Sequence, residues 1–361
     1  MNAQPEPGQQ NLKHILVYAS MNDVQYLAGM LRGINFAARA GVLITKSGMV
    51  VTVEDARTLL GTAYIFAEVF DDFKFDETHG TPSQTQQTQD PDVKLEPRPR
   101  KEVSFEIPLA TLVDCLNIFG TNPAKEVEKK PRFHRLGASA IDEEDQQREG
   151  GPHQREQAGR GDQHSRGPNV TGVRITYVGP GHPLEFTMND PTDGALATVE
   201  LTTFDPEPAL ELPFDSDRTV LKIILKSSWL RDALSELDTS SEKLTIIGNP
   251  APPPGRAQRG SAPRLRLKAV GTFGSTEMDY PNDREVLETC ECDDVVNFSY
   301  SFKHIVKAVK ALQISTKTSL RIDEQGLLSM QFLMPEPKTR GGGPGDAFIE
   351  FRCLPLEEGF P

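Results

Sequence analysis

The stretch LKIILKSSWLRDALSELD, residues 221–238, runs from a strand pattern directly into a helical one. Val220 to Leu225 form a short β-rich run. From Ser227 to Leu237 the apolar residues Leu230, Ala233, Leu234 and Leu237 recur at the three- to four-residue spacing that puts them on one face of a helix. A strand that feeds a helix without a long loop is the unit that orders the rest of the chain.

Three further segments have helical periodicity. Asn22 to Ile34 aligns Val24, Leu27, Leu31 and Ile34, with Asn22 as the expected N-cap. Pro108 to Phe119 aligns Leu109, Leu112, Val113 and Leu116, opens on a proline at a first-turn position and stops at Gly120. Phe302 to Leu312 aligns Ile305, Val306, Val309 and Leu312.

Strands account for most of the remaining pattern. Val42–Thr45 and Met49–Val53 are joined by Lys46-Ser47-Gly48, and Ser319–Asp323 and Leu327–Leu333 flank Glu324-Gln325-Gly326, so the same glycine-bearing hairpin device occurs in both halves. Further strands are expected at Ala63–Val69, Val103–Ile107, Gly172–Val178, Leu184–Met188, Ala197–Thr203, Lys243–Gly248, Leu265–Val270, Asn297–Ser301 and Ala347–Cys353. Each half therefore reads as a strand-helix step, several strands, a second strand-helix step and more strands. Few helices per strand, without βα alternation, exclude a doubly wound sheet and predict an α+β fold with helices gathered on one side.

Residues 78–101, 122–169, 249–263 and 335–346 are too polar and too rich in Pro, Gly and Gln to offset the entropy of ordering them, and read as inserted loops. That leaves one domain at 11–203, carrying the first two insertions, and a second at 217–356, carrying the other two. FDPEPALELPFDS, residues 204–216, connects them.

The formal charge of −13 excludes a chain that coats nucleic acid with its whole surface, while leaving room for a local basic face. No apolar run is long enough to span a membrane, and the opening MNAQPEPGQQ lacks the basic-then-apolar order of a secretory signal, so a soluble intracellular protein is expected. Cys290 and Cys292 form the one close pair among Cys115, Cys290, Cys292 and Cys353, which predicts no metal site. No phosphate-binding GxxxxGK[ST] loop and no cofactor motif occur.

The polar helix faces carry the functional signal. Lys303, Lys307 and Lys310 fall within about 60° of one another on an ideal helix, forming a phosphate-contacting stripe. From this segment alone a solvated helix surface stays an open alternative. Arg32 lies on the polar side of the first helix, and Arg231, with Lys226 just before the helix, on the third. That third helix also carries Asp232 and Glu236, and the second offers Asp114 and Asn117 without a cation. With no stacking aromatics among them, such residues would contact phosphates independently of sequence.

Five strings spread over both halves resemble one family: VVTVEDA (50–56) with AYI (63–65), LVDCLNIFG (112–120), LKIILKSSWLRDALSELD (221–238), GTFGSTEMDYP (271–281) and FIEFRCLP (348–355). In this order they resemble the Rad-one subunits of the heterotrimeric nine-one-one checkpoint clamp, relatives of proliferating cell nuclear antigen. The resemblance implies a DNA-clamp fold: two duplicated βαβββ domains, four helices lining the inner face and sheets outside. It implies that Arg32, Lys303 and Lys310 face DNA, and the reading of the helix faces adds Lys226, Arg231 and Lys307 to that expected surface. Asp114, Asn117, Asp232 and Ser235 take inward positions that cations hold in homotrimeric clamps.

The same resemblance implies subunit contacts between strand edges at Ala197–Thr203 and Leu265–Phe273, through Val199, Leu201, Leu265, Leu267 and Ala269. It also implies a connector beside which clients dock. The implied partners are two other clamp subunits, duplex DNA without sequence specificity, an ATP-dependent clamp loader, and checkpoint and repair proteins, all in the nucleus. The competing reading is a 3′–5′ exodeoxyribonuclease, whose metals would need converging carboxylates. Its candidates are Glu54 and Asp55, Asp71 and Asp72, and the group Glu291, Asp293 and Asp294.

Overall fold

The computed structural model describes residues 15–77, 102–120, 171–189, 194–251, 262–336 and 347–357. The expected insertions at 78–101 and 122–169 lie outside the described residues, as does most of 249–263 and 335–346.

The first half runs β1 (Val17–Met21), α1 (Val24–Gly33), β2 (Ala40–Thr45), β3 (Gly48–Asp55), β4 (Leu59–Phe66), β5 (Asp72–Phe75), β6 (Glu102–Ile107), α2 (Leu109–Gly120), β7 (Gly172–Tyr177), β8 (Leu184–Asn189) and β9 (Leu196–Leu201). The second half repeats the order. It runs β10 (Thr219–Lys226), α3 (Ser227–Glu236), β11 (Ser241–Gly248), β12 (Leu265–Gly271), β13 (Gly274–Tyr280), β14 (Leu287–Glu291) and β15 (Val296–Ser301). A helix split into α4 (Phe302–Lys307) and α5 (Val309–Leu312) follows, then β16 (Lys317–Asp323), β17 (Leu328–Leu333) and β18 (Ala347–Cys353).

Pairing repeats as well. The five-stranded sheet β5-β1-β7-β8-β9 recurs as β14-β10-β16-β17-β18, and β4-β3-β2-β6 recurs as β13-β12-β11-β15. The halves fuse because β18 pairs antiparallel with β4, from Ala347 opposite Ile65 to Cys353 opposite Leu59. One nine-stranded sheet results, β14-β10-β16-β17-β18-β4-β3-β2-β6. β9 and β13, the internal counterparts of β18 and β4, end their own sheets with one side unpaired.

Local chemistry explains the elements. Gly48 closes the β2–β3 hairpin at φ +136°, and a Cβ there would lie 2.3 Å from the Ile65 carbonyl oxygen, so both conformation and space demand glycine. α1 buries Val24, Leu27, Met30 and Leu31 against the sheets, each contributing roughly 1.5–3 kcal/mol. Its N-cap is Asp23, whose Oδ1 accepts from Gln25 N at 2.9 Å. The expected cap, Asn22, instead donates its backbone N–H to Asp71 Oδ2 at 2.7 Å.

The helices form one layer in the order α2, α1, α5, α3. Gly33 permits the central contact, because a Cβ there would lie 2.5 Å from Ile349 Cδ1 and 3.4 Å from Ala311 Cβ. β1, β5, β13 and β14 were not among the expected strands. Three of them have five residues or fewer, and β13, GSTEMDY, is polar and exposed along most of its length. Within the described residues no helix is long and apolar enough to cross a membrane.

Candidate nucleic-acid interface

The helix layer presents a mixed surface rather than a uniform stripe. On the split helix, Ala308 N–H bonds to Ile305 O at 3.0 Å, a tightened turn that separates α4 from α5. The exposed positions become Lys303, Val306, Lys310 and Gln313.

Lys307 leaves the expected stripe. Its ammonium donates to Asp55 Oδ2 and lies 5.2 Å from the centroid of Phe36, with the side chain 26% exposed. The lysine thus ties the second half's last helix to the end of β3 in the first half. Lys310 bridges the halves more weakly, donating to Asn35 O at 3.3 Å while remaining exposed.

Among the described residues Lys303 has no ion-pair partner. Arg32 donates from Nη2 to Asn117 Oδ1 across the α1–α2 contact. Arg231 is turned onto neighbouring Asp232, with Nε–Oδ1 at 3.0 Å and Nη2–Oδ1 at 2.9 Å. Lys226 is the exposed N-cap residue of α3. A cation there opposes the helix dipole, so it adds charge to the surface at a small cost to the helix. Asp114, Asp232 and Glu236 are exposed on the same layer. Tyr280, buried beneath α3, donates to Trp229 O at 3.2 Å, and burial followed by the charges of Asp232 and Glu236 pushes its pKa up to about 12.

A second constellation leaves no local pattern in the sequence because its members come from separate elements. Cys353 Sγ lies 3.8 Å from His304 Nδ1, and His304 Nε2 lies 3.6 Å from Asp55 Oδ2. The order thiol, imidazole, carboxylate resembles a nucleophile relay. Its electrostatics oppose that chemistry: burial pushes the Cys353 pKa up to about 12 and also holds the His304 pKa below its ordinary value. The thiol stays protonated and the imidazole neutral near pH 7, so the group acts as packing at the junction.

The carboxylates considered for metal chemistry are distributed among separate partners. Glu54 Oε2 accepts from Leu210 N at 3.2 Å, Asp71 accepts from Asn22 N, Asp72 pairs with Lys74 at 3.0 Å, and Glu291 pairs with Lys222 at 3.3 Å. Among the described residues no three His, Cys, Asp or Glu side chains converge to hold a metal ion.

The connector lies across the sheet face away from the helices. Phe204 and Glu106 exchange backbone hydrogen bonds at 2.9 and 3.0 Å, and Glu106 Oε1 accepts from Glu207 N at 3.1 Å. Arg352 Nη1 donates to Leu212 O at 2.9 Å, and Leu212 packs on Leu60 and Leu327. The Arg321 guanidinium lies 4.8 Å from the Phe214 centroid. Beneath this strap Glu350, 3% exposed, accepts from Ser329 Oγ at 2.7 Å and Arg352 Nη2 at 2.8 Å.

The expected subunit edges are corrected on one side. β12 is paired on both flanks, and Leu265, Leu267 and Ala269 are buried in the core, so the outer strand is β13. On the other side β9 is the outer strand. Val199 and Leu201 face inward, opposite Phe186 and Leu184, while Leu196 and Glu200 face out.

Similarity to known proteins follows this architecture. The family model described as repair protein Rad1/Rec1/Rad17 matches residues 16–334. The cell cycle checkpoint protein RAD1 of Mus musculus is 29% identical over 94% of this chain and 92% of its own. The DNA damage checkpoint control protein rad1 of Schizosaccharomyces pombe is 29% identical over 92% of this chain and 84% of its own. The DNA repair exonuclease REC1 of Mycosarcoma maydis is 25% identical over 94% and 95%.

Proposed function

The chain belongs to the Rad1/Rec1/Rad17 family of repair proteins and has that family's clamp fold, and from this premise we propose that it is a non-catalytic subunit of a heterotrimeric checkpoint sliding clamp. Its domains are 11–203 and 217–356, joined by the connector at 204–216. With two other clamp subunits it encloses duplex DNA at damage sites in the nucleus. An external ATP-dependent loader opens and closes the ring, and the outer face recruits checkpoint-kinase activators and repair enzymes. The observation that carries this reading is the fused double architecture, with the described helices in one layer and a strand edge left open at each end.

On this reading Lys226, Lys303 and Lys310, with Arg32 beside them, contact phosphates without reading bases. Lys307 is withdrawn because Asp55 holds it, and Arg231 contributes little net charge beside Asp232. The partner subunits supply the remaining positive lining. Co-expression with the two other clamp subunits should yield a one-to-one-to-one complex that stays on nicked circular DNA and slides off when the circle is cut. A stable homotrimer of the isolated chain, or no complex with the partners, would overturn the proposal.

The name of the Mycosarcoma maydis relative supports a second reading, a 3′–5′ exonuclease. Two-metal hydrolysis needs carboxylates around a shared pair of cations, and here each described candidate with a bonded partner serves a different contact. Degradation of a 3′-labelled strand by the pure chain with Mg²⁺, lost on replacing Glu291 and Asp293 by Ala, would establish that reading instead.

A further inference from the structure

The chain contains its own template for the junction that its two open edges make. In the second half the ladder runs Lys317, Leu333, Phe348 at one end and Ile322, Leu328, Cys353 at the other. In the first half the matching ladder runs Gly172, Asn189, Leu196 and Tyr177, Leu184, Leu201. Leu196, Thr198 and Glu200 of β9 therefore hold the places of Phe348, Glu350 and Arg352 of β18. By the same comparison, the ladder Ile44, Met49, Ile65 matches Gly248, Leu265, Tyr280. Leu60, Thr62 and Tyr64 of β4 then correspond to Ser275, Glu277 and Asp279 of β13.

Inside the chain this junction is complementary on its outer face. Phe348 stacks on Tyr64 with centroids 4.5 Å apart, and Arg352 stands opposite Leu60 and pairs with buried Glu350 at 2.8 Å. If a second copy of the chain were placed in the same register, Leu196 would meet Asp279, Thr198 would meet Glu277, and Glu200 would meet Ser275 with Glu277 as its diagonal neighbour. An apolar side chain would face a carboxylate, and Glu200 would face a serine with no cation opposite it.

β9 sets one carboxylate in register with another. Glu200 lies directly opposite Glu185 of β8, and among the described residues neither has a cationic partner. Like charges directly opposite on a sheet are destabilising. β13 differs, because Glu277 and Asp279 are bonded to Arg266 and Lys268 of β12 at 2.6–3.1 Å. Among the described residues one edge is neutralised within the chain, and the other lacks a cation.

We propose that β9 is completed by the edge strand of a different polypeptide, one that sets an apolar or aromatic side chain against Leu196 and a lysine or arginine against Glu200. The inference rests on the clamp reading above and specifies which partner chemistry fits this edge. Leu196 is 68% exposed, an apolar anchor beside the charge. Main-chain pairing supplies adhesion at such an edge, and the alternate side chains choose the partner.

Two measurements test it. The isolated chain with Ser275→Lys and Asp279→Tyr presents the required residues on its own β13. In sedimentation the wild type should be monomeric and the double variant should self-associate, with affinity falling about fivefold or more when Glu200→Lys is added. A folded double variant that stays monomeric, or a wild type that self-associates through β9, overturns the inference. In the three-subunit mixture Glu200→Lys should weaken assembly by about fivefold or more, and this arm decides alone if the double variant does not fold. Unchanged assembly sinks the inference while leaving the clamp reading intact. Failure of the wild type to join its partners removes the clamp reading and the inference together.

Discussion

Lys307, on the last helix of the second half, donates its ammonium to Asp55 Oδ2 at the end of β3 in the first half. A cation that helical spacing places beside Lys303 and Lys310 thereby serves the junction between the halves. Asp55→Ala and Lys307→Ala should each lower stability by about 1 kcal/mol, a value reduced from that of a buried pair because the Lys307 and Asp55 side chains are 26% and 37% exposed. Urea unfolding checks this, and DNA retention by the assembled ring should change little in either variant.

Lys303 and Lys310 should behave in the opposite way. Glu at both positions should leave the unfolding midpoint and ring assembly nearly unchanged while weakening retention on DNA. Each lost phosphate contact should reduce the slope of log affinity against log salt by about 1. A double variant with wild-type retention and an unchanged salt slope would remove these lysines from the DNA-facing surface.

Glu350 is the carboxylate on which the sheet face under the connector depends. Its oxygens receive Ser329, Gln331 and Arg352, and Arg321 stands 3.6 Å away. Glu350→Ala leaves two partly buried guanidiniums facing each other and should cost about 3 kcal/mol, seen as a lower denaturant midpoint. Because Arg352 also donates to Leu212 O, the connector should become more susceptible to proteolysis in this variant.

His304 predicts a pH dependence. Burial holds its pKa below the ordinary 6.5, with Asp55 opposing that shift and Lys307 reinforcing it. The unfolded chain then binds the proton first, so stability is full above about pH 6.5 and falls as the pH drops from there toward the folded-state value. Below the folded-state value no further loss comes from this group. His304→Gln should flatten the His304 contribution to the difference between urea midpoints at pH 7.5 and pH 5.5.

Much of the fold was legible because one-sided burial writes itself into spacing. The apolar faces of α1, α2 and α3 and the hairpins closed by Gly48 and Gly326 follow from residues near one another in the chain. β13 was not legible, since an edge strand with one open side and an exposed outer face has no apolar alternation to reveal it. Spacing places the cap of α1 one residue early, at Asn22, because nothing local shows that the Asn22 backbone N–H is taken by Asp71, forty-nine positions away.

Element order, the duplication of that order and the set of cations offered to the helix faces follow from the residues alone. Tertiary structure alone decided which cations remain available: Arg32 reaches Asn117, Lys307 reaches Asp55, and Lys303 stays open to solvent. It also decided that β13 and not β12 forms the open edge. Periodicity records which side of an element is buried, whereas a charge is paired or left free by groups brought near it from distant parts of the chain. No local pattern carries that information.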